Sequence, residues 1–175
     1  MSEKHGVVVL LEGSEQCGKT VLSDKIHNRF KADYLHGDRP LRNGFEDFHR
    51  NMTVAAFEMA VDGHVVVLDR CFISHQVYGE LFDGGPQYDT HKMCEEFRSA
   101  LEENGAHLII VYCRPDREFD PTMREEMYDD SDGKIQSKFD ELIDTYQAEV
   151  VKYNWKKDPS GETILKLIEE VHNGR

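Results

Sequence analysis

The residues most able to do chemistry are Gly13-Ser14-Glu15-Gln16-Cys17-Gly18-Lys19-Thr20, spaced Gly-x-x-x-x-Gly-Lys-Thr. They follow the apolar run Val7 to Leu11 and precede Leu22, Ile26 and Phe30, which recur every fourth residue. A strand, this spacing and then a helix is the context in which successive backbone N–H groups curl around an anion and the helix points its positive end at the same spot. Lys19 would reach the terminal phosphates of a nucleotide, and Thr20 would offer its hydroxyl to a magnesium ion that takes its other ligands from water and phosphate. The plainer alternative is a tight strand-to-helix turn that happens to contain these residues. All the fixed positions and both flanking elements argue against it. The loop says nothing about what the bound nucleotide is used for.

A second polar group sits at Asp69-Arg70, directly after the β-branched run His64-Val65-Val66-Val67-Leu68. Such runs are strands buried on both faces, and open α/β sheets place their ligands at the carboxyl ends of those strands. Ser74 and Tyr78 follow at helical spacing from Arg70, on one face. The bland reading of Asp69-Arg70 is a solvated ion pair worth little. A third group is the polar stretch 114–133, with Arg114, Arg117 and Arg124 and little apolar periodicity, the texture of a segment that closes over a site.

Among the elements that must position these groups, Tyr34-Leu35-His36 is a short candidate strand, closed by the turn residues Gly37 to Pro40. Phe45, Phe48, Met52, Ala56 and Met59 mark a helix that ends at Asp62-Gly63, and this stripe is expected in the core; Phe45, Phe48, Phe72 and Tyr78 could instead stack on a bound base, the less favoured reading. A further helix carries Met93, Phe97 and Leu101, and His107 to Cys113 is another buried strand. Ile135, Phe139, Leu142, Ile143, Tyr146, Val150 and Tyr153 predict one long helix. Trp155 is expected to begin a short last strand, and a final helix is expected to open at Asp158-Pro159-Ser160, with Pro in its first turn. Strands alternating with helices predict an α/β fold of three layers, a central parallel sheet flanked by helices.

With 175 residues, the chain is expected to form one domain with a lid-like segment at about 114–133. No apolar run is long enough for a membrane span, and no secretory leader precedes the first strand, so a cytoplasmic protein is expected. Cys17, Cys71, Cys94 and Cys113 show neither CxxC nor zinc-finger spacing, so free and mostly buried thiols are expected, without a structural metal. The net charge of −13, from 21 Lys and Arg against 34 Asp and Glu, opposes a long nucleic-acid groove. A local basic pocket is compatible with it, and Arg39, Arg42, Arg50 and Arg70 fall in one half of the chain.

Taken together, the loop and Asp69-Arg70 resemble the thymidylate kinase family of P-loop nucleotide kinases, in its short, bacteriophage-type form. Glu12-Gly13 matches the end of that family's first strand, Glu15 matches its acidic loop residue, and Asp69, Arg70, Ser74 and Tyr78 match its Asp-Arg motif. The resemblance extends to the order of strands and helices over most of the chain. Gln16 stands where members usually carry glycine, and Cys71 where they carry an aromatic residue. The Arg-Glu-Pro that follows the family's second strand has a loose counterpart in Asp38-Arg39-Pro40.

The resemblance implies ATP and magnesium as cofactors and phosphoryl transfer to a pyrimidine deoxynucleoside monophosphate. It implies donor binding by residues 13–20, acceptor binding by Glu12, Glu15, Arg39, Arg70, Ser74 and Tyr78, and catalysis by Lys19, Asp69, Arg70 and a lid arginine, for which Arg124 is the choice. Thr20 and Asp69 would serve the metal. A homodimer is compatible with this reading. Some relatives phosphorylate the hydroxymethyl group of a modified uracil within DNA, which is the alternative; there Asp69 would act as general base, because a hydroxyl acceptor gains from one and a phosphate does not. A non-catalytic nucleotide-binding module is a further alternative. It fits poorly, since the chain has no Asn-Lys-x-Asp motif and its strand ends in Asp-Arg rather than paired acids.

Overall fold

The computed structural model describes residues 4–37, 44–114 and 133–174. Five strands form one all-parallel sheet in the order β2-β3-β1-β4-β5. They are β1 (Val7–Glu12), β2 (Asp33–His36), β3 (Val65–Asp69), β4 (His107–Cys113) and β5 (Glu149–Tyr153). The helices are α1 (Lys19–Phe30), α2 (Phe45–Val61), α3 (Phe72–Tyr78), α4 (Thr90–Glu103), α5 (Lys134–Leu142) and α6 (Glu162–His172). The chain therefore has the three-layer α/β fold that its alternating pattern predicts.

The strand period of two sorts the core into two clusters. Val8, Leu10, Val66, Leu68, Ile110 and Tyr112 face α2, α3, α4 and α5, where Met52, Ala56, Phe72, Phe97 and Phe139 meet them. Val7, Val9, Leu11, Val67, Ile109 and Val111 face α1 and α6, meeting Leu22, Ile26, Ile164 and Ile168. Every residue of β1 and β3 is buried, as central strands covered on both sides require. Among the described residues, no helix is long and apolar enough to cross a membrane. All four cysteines are free and buried.

The end of the chain differs from the expected pattern. The long helix expected from Ile135 to Tyr153 stops at Leu142, turns through Ile143–Thr145, and is followed by β5, which pairs with β4. Spacings of four residues satisfy both a helix and alternate places along a strand, so 142, 146 and 150 do not distinguish the two. The structure does: Val150 packs on the α5 side of the sheet, while Val151 and Tyr153 pack on the α6 side. Trp155 lies in the turn after β5 and is not part of a strand. The last helix begins at Glu162, and Pro159 precedes it. Asp158 caps it by accepting the backbone N–H of Thr163 at 3.0 Å and of Glu162 at 3.3 Å.

On α5, Phe139 is fully buried, stacked on Tyr112 at 5.9 Å and edge-on to Tyr78 at 6.4 Å. It thus joins the sheet to the helix that carries Ser74 and Tyr78. Phe139→Ala should lower stability by about 4 kcal/mol in urea denaturation; a loss below about 1 kcal/mol would show that this cluster does not hold α5 in place.

Candidate active site

The carboxyl ends of β1 and β3 lie side by side, with Leu11 in register with Asp69, so the loop after one meets the turn after the other. This is the crevice where the sheet order reverses. The β3 exit is tightly pinned. The Arg70 N–H donates to Leu11 O at 3.0 Å, and the Gly37 N–H donates to Asp69 O at 3.0 Å. Arg70 itself has φ +66°, a left-handed conformation that costs a residue with a side chain of order 1 kcal/mol and aims its guanidinium back across the crevice. A Cβ at Gly37 would stand 2.7 Å from Arg70 O, so only glycine fits there.

In the phosphate-binding loop, Gln16 has φ +55°. A left-handed backbone at this position accounts for the glycine of the resembling family, and here the glutamine accepts that strain. Lys19 is buried, and its ammonium donates to Ser14 O at 2.7 Å, Gly13 O at 3.2 Å and Cys17 Sγ at 3.4 Å. Burial works against its charge. The Cys17 and Cys113 sulfurs, then Asp69 and Tyr78, outweigh burial and hold its pKa above the ordinary value. The Cys17 thiol is lowered: burial raises it, but the hydrogen bond with Cys113 and the Lys19 ammonium prevail.

Glu12 is fully buried and accepts the Cys71 N–H at 3.0 Å and the Ser74 hydroxyl. Burial pushes its pKa up against those two hydrogen bonds and the nearby Arg70. It is not among the residues that border the cavity, and its contacts are with Cys71 and Ser74. The Arg70 guanidinium pairs with Glu15 and donates to Tyr78 Oη at 3.2 Å and Ser74 Oγ at 3.4 Å. Asp69 is buried; Tyr34 donates to its Oδ2 at 2.7 Å, and His36 Nδ1 lies 3.4 Å away. Its other oxygen, Oδ1, is buried with no hydrogen-bond partner among the described residues.

These groups border one cavity of about 750 Å³. Loop residues Glu15 to Val21, including Thr20, form one side; Asp69, Arg70, Ser74 and Tyr78 form the other. Of the expected site residues, Arg39 and Arg124 lie outside the described residues, as do Arg42 and Arg117. Arg114 pairs with Asp140 of α5 through contacts of 2.7 and 3.0 Å. Thr20 on the cavity wall and the unpartnered Asp69 Oδ1 suit a magnesium ion with its water shell, since a buried carboxylate oxygen needs a cation or a donor. Among the described residues, no His, Cys, Asp and Glu cluster forms an all-protein metal cage.

Several cavity residues were not singled out as site residues. Trp155 packs against Gly18, whose Cβ position would lie 3.0 Å from its ring, and so flanks the loop end of the cavity. At the far end, Phe45 is half-buried and borders the cavity, correcting its expected place in the core stripe, and His49 and His75 stand beside it. Lone histidines and aromatics on helices carry no local signal that separates a cavity wall from ordinary packing.

Burial of His49, then the neighbouring His75, lowers the His49 pKa from 6.5 to about 4. A base with a depressed folded pKa contributes stability that is full above the unfolded pKa and is lost as pH falls towards the folded one. Stability should therefore drop by about 3 kcal/mol between pH 6.5 and about 4 from this group. Denaturation at several pH values should show His49→Gln blunting that drop; an unchanged pH dependence would contradict the burial argument.

Comparison with known proteins gives a likeness of fold. No family model matches the chain, and no curated protein matches it by sequence. Among solved structures, the YorR protein of Bacillus subtilis in complex with phosphorylated GDP superposes with TM-score 0.70 at 18% identity, covering 96% of this chain and 99% of that one. A polyphosphate kinase 2 from Arthrobacter aurescens TC1 gives TM-score 0.64 at 14% identity, covering 97% of this chain and 69% of that one. Thymidylate kinase from Candida albicans gives TM-score 0.58 at 12% identity, covering 99% of this chain and 95% of that one. The chain is thus similar in architecture to P-loop kinases, a likeness of fold alone.

Proposed function

We propose that this protein is an ATP- and magnesium-dependent phosphotransferase that moves the terminal phosphate of ATP to a pyrimidine deoxynucleoside monophosphate of the thymidylate kind. The observation that carries the reading is that Lys19 and Thr20 on one side, and Arg70 on the other, open onto the same cavity. A phosphate donor gripped by the loop would point its terminal group at the Arg70 guanidinium.

Phosphoryl transfer asks a protein chiefly for positioning and for positive charge on the transferring group. Loop amides and Lys19 would hold the donor. In the resting arrangement, backbone carbonyls and Cys17 hold the ammonium, and these partners would give way to phosphate oxygens. Arg70, already ordered by Glu15, Ser74 and Tyr78, would clamp an anionic acceptor with little further loss of side-chain freedom. Thr20 and Asp69 would orient the magnesium ion and its waters; when bound, that ion would neutralise charge on the phosphates. Trp155 is placed to pack against the donor's base at the loop end. A lid arginine, Arg124, completes the proposal. The phosphorylated GDP found in the similar YorR protein is in keeping with a nucleotide in such a cavity.

One observation favours a second reading. The unpartnered Asp69 Oδ1 is a carboxylate oxygen that could accept a proton from a hydroxyl, as phosphorylation of a hydroxymethyl group on a base in DNA would require. Radiolabelled ATP and magnesium, tested against deoxynucleoside monophosphates and against duplex DNA with and without 5-hydroxymethyluracil, separate the two. Label on a monophosphate supports the main reading, and label only in the modified DNA overturns it. ATP hydrolysis that no acceptor stimulates would point to a nucleotide-binding module. In the same assay, Arg70→Ala should lower acceptor kcat/KM about 100-fold with ATP affinity little changed, whereas Lys19→Ala should abolish transfer; equal loss of acceptor use and ATP binding in Arg70→Ala would exclude the clamp.

A further inference from the structure

The end of the cavity away from the phosphate-binding loop is built of four rings from three separate segments. His75 of α3 is stacked between Phe45 of α2, at 4.6 Å, and Tyr88, at 4.8 Å. His49 of α2 meets His75 and Tyr88 edge-on at 5.5 and 5.7 Å. Both imidazoles are buried, 4% and 8% exposed, yet Phe45, His49 and His75 all border the cavity.

Their hydrogen bonds decide where the protons sit. The Gln87 backbone N–H donates to His75 Nε2 at 3.0 Å, so a neutral His75 carries its proton on Nδ1. Tyr88 Oη lies 2.5 Å from His49 Nδ1. Burial pushes the Tyr88 hydroxyl pKa up, so it keeps its proton; when that proton is given to His49 Nδ1, the His49 proton sits on Nε2. Burial lowers the pKa of both imidazoles and favours these neutral forms. Each ring then has an N–H as the polar group it can turn to the cavity. The carboxylate closest in influence is the exposed Asp83, which acts on His75 through its charge.

We propose that His49 and His75 are specificity residues that read the acceptor's base through two N–H donors, selecting bases that present carbonyl oxygens at the buried edge over bases that present an exocyclic amine. This rests on the nucleotide-acceptor reading above. A base whose amine met these donors would leave both sides unpaired in a water-poor site, a mismatch that hydrogen-bonding pockets reject strongly. The aromatic setting also fixes the rings: His75 cannot turn without breaking two stacks, so the donors are preorganised.

Deoxyuridine and deoxycytidine differ along this edge by a carbonyl against an amine at C4 and by an N–H against a bare nitrogen at N3, and match closely in shape, so the test compares them, each as monophosphate and as nucleoside, with magnesium and ATP. Deoxyuridine forms should be favoured in kcat/KM by about tenfold or more. His49→Phe should bring that ratio towards one by raising the acceptor KM with the ATP KM unchanged, and His49→Gln, which still presents an N–H, should retain part of it. Thermal melting checks that each variant folds. Equal use of the two pyrimidines by the wild type, or an unchanged ratio in folded His49→Phe and His75→Phe variants, overturns the base-reading role while leaving the kinase reading standing. If no pyrimidine form is phosphorylated, the proposed function falls and this proposal with it.

Discussion

The arrangement depends on one buried carboxyl group. Glu12 ends β1 and accepts from the Cys71 N–H and the Ser74 hydroxyl, which belong to the turn after β3 and to the start of α3. That cross-tie joins the segment entering the phosphate-binding loop to the segment carrying Arg70, although 59 and 62 residues of chain separate the partners. Burying a carboxyl group is costly unless its lone pairs are satisfied. The raised pKa of Glu12 records that cost, and its hydrogen bonds limit it. The return is geometric: Lys19 and Arg70, the cations proposed to grip donor and acceptor, face one space.

Around that tie, an acidic protein brings two cations to one cavity. The net charge of −13 is a property of the whole surface, whereas Lys19 and Arg70 are enclosed by strands, loop and helix at the carboxyl end of the sheet. Bulk charge discourages polyanions from adhering over a broad area, while two enclosed cations remain able to meet a small anionic ligand. The local partners of both cations are groups that a phosphate can replace or join: backbone carbonyls and a thiol for Lys19, a carboxylate and hydroxyls for Arg70.

Features whose signal is local in sequence were legible from the residues alone. The phosphate-binding loop, the buried runs of β1, β3 and β4, and the placing of Asp69-Arg70 at a strand end all follow from spacing over a few positions. The helix expected from 135 to 153 failed because a spacing of four serves a helix and a strand equally, and the Val150-Val151 pair resolved it only once β4 was there to be paired. Phe45 was expected in the core because periodicity finds the inward face of α2 but not where the core ends and a cavity begins. The His49, His75 and Tyr88 cluster, the Tyr34 contact to Asp69 and the packing of Trp155 on Gly18 join residues from distant segments, and no local pattern announces them.

The most direct test of a donor grip and an acceptor clamp opening onto one space is titration calorimetry with a bisubstrate compound, adenosine joined to deoxythymidine through a polyphosphate chain. If both halves are held at once, the linked compound binds far more tightly than ATP or thymidylate alone, and Arg70→Ala returns its affinity to that of ATP. Affinity no better than that of ATP for the wild-type protein would show that the two cations do not serve a shared site, and would contradict the account.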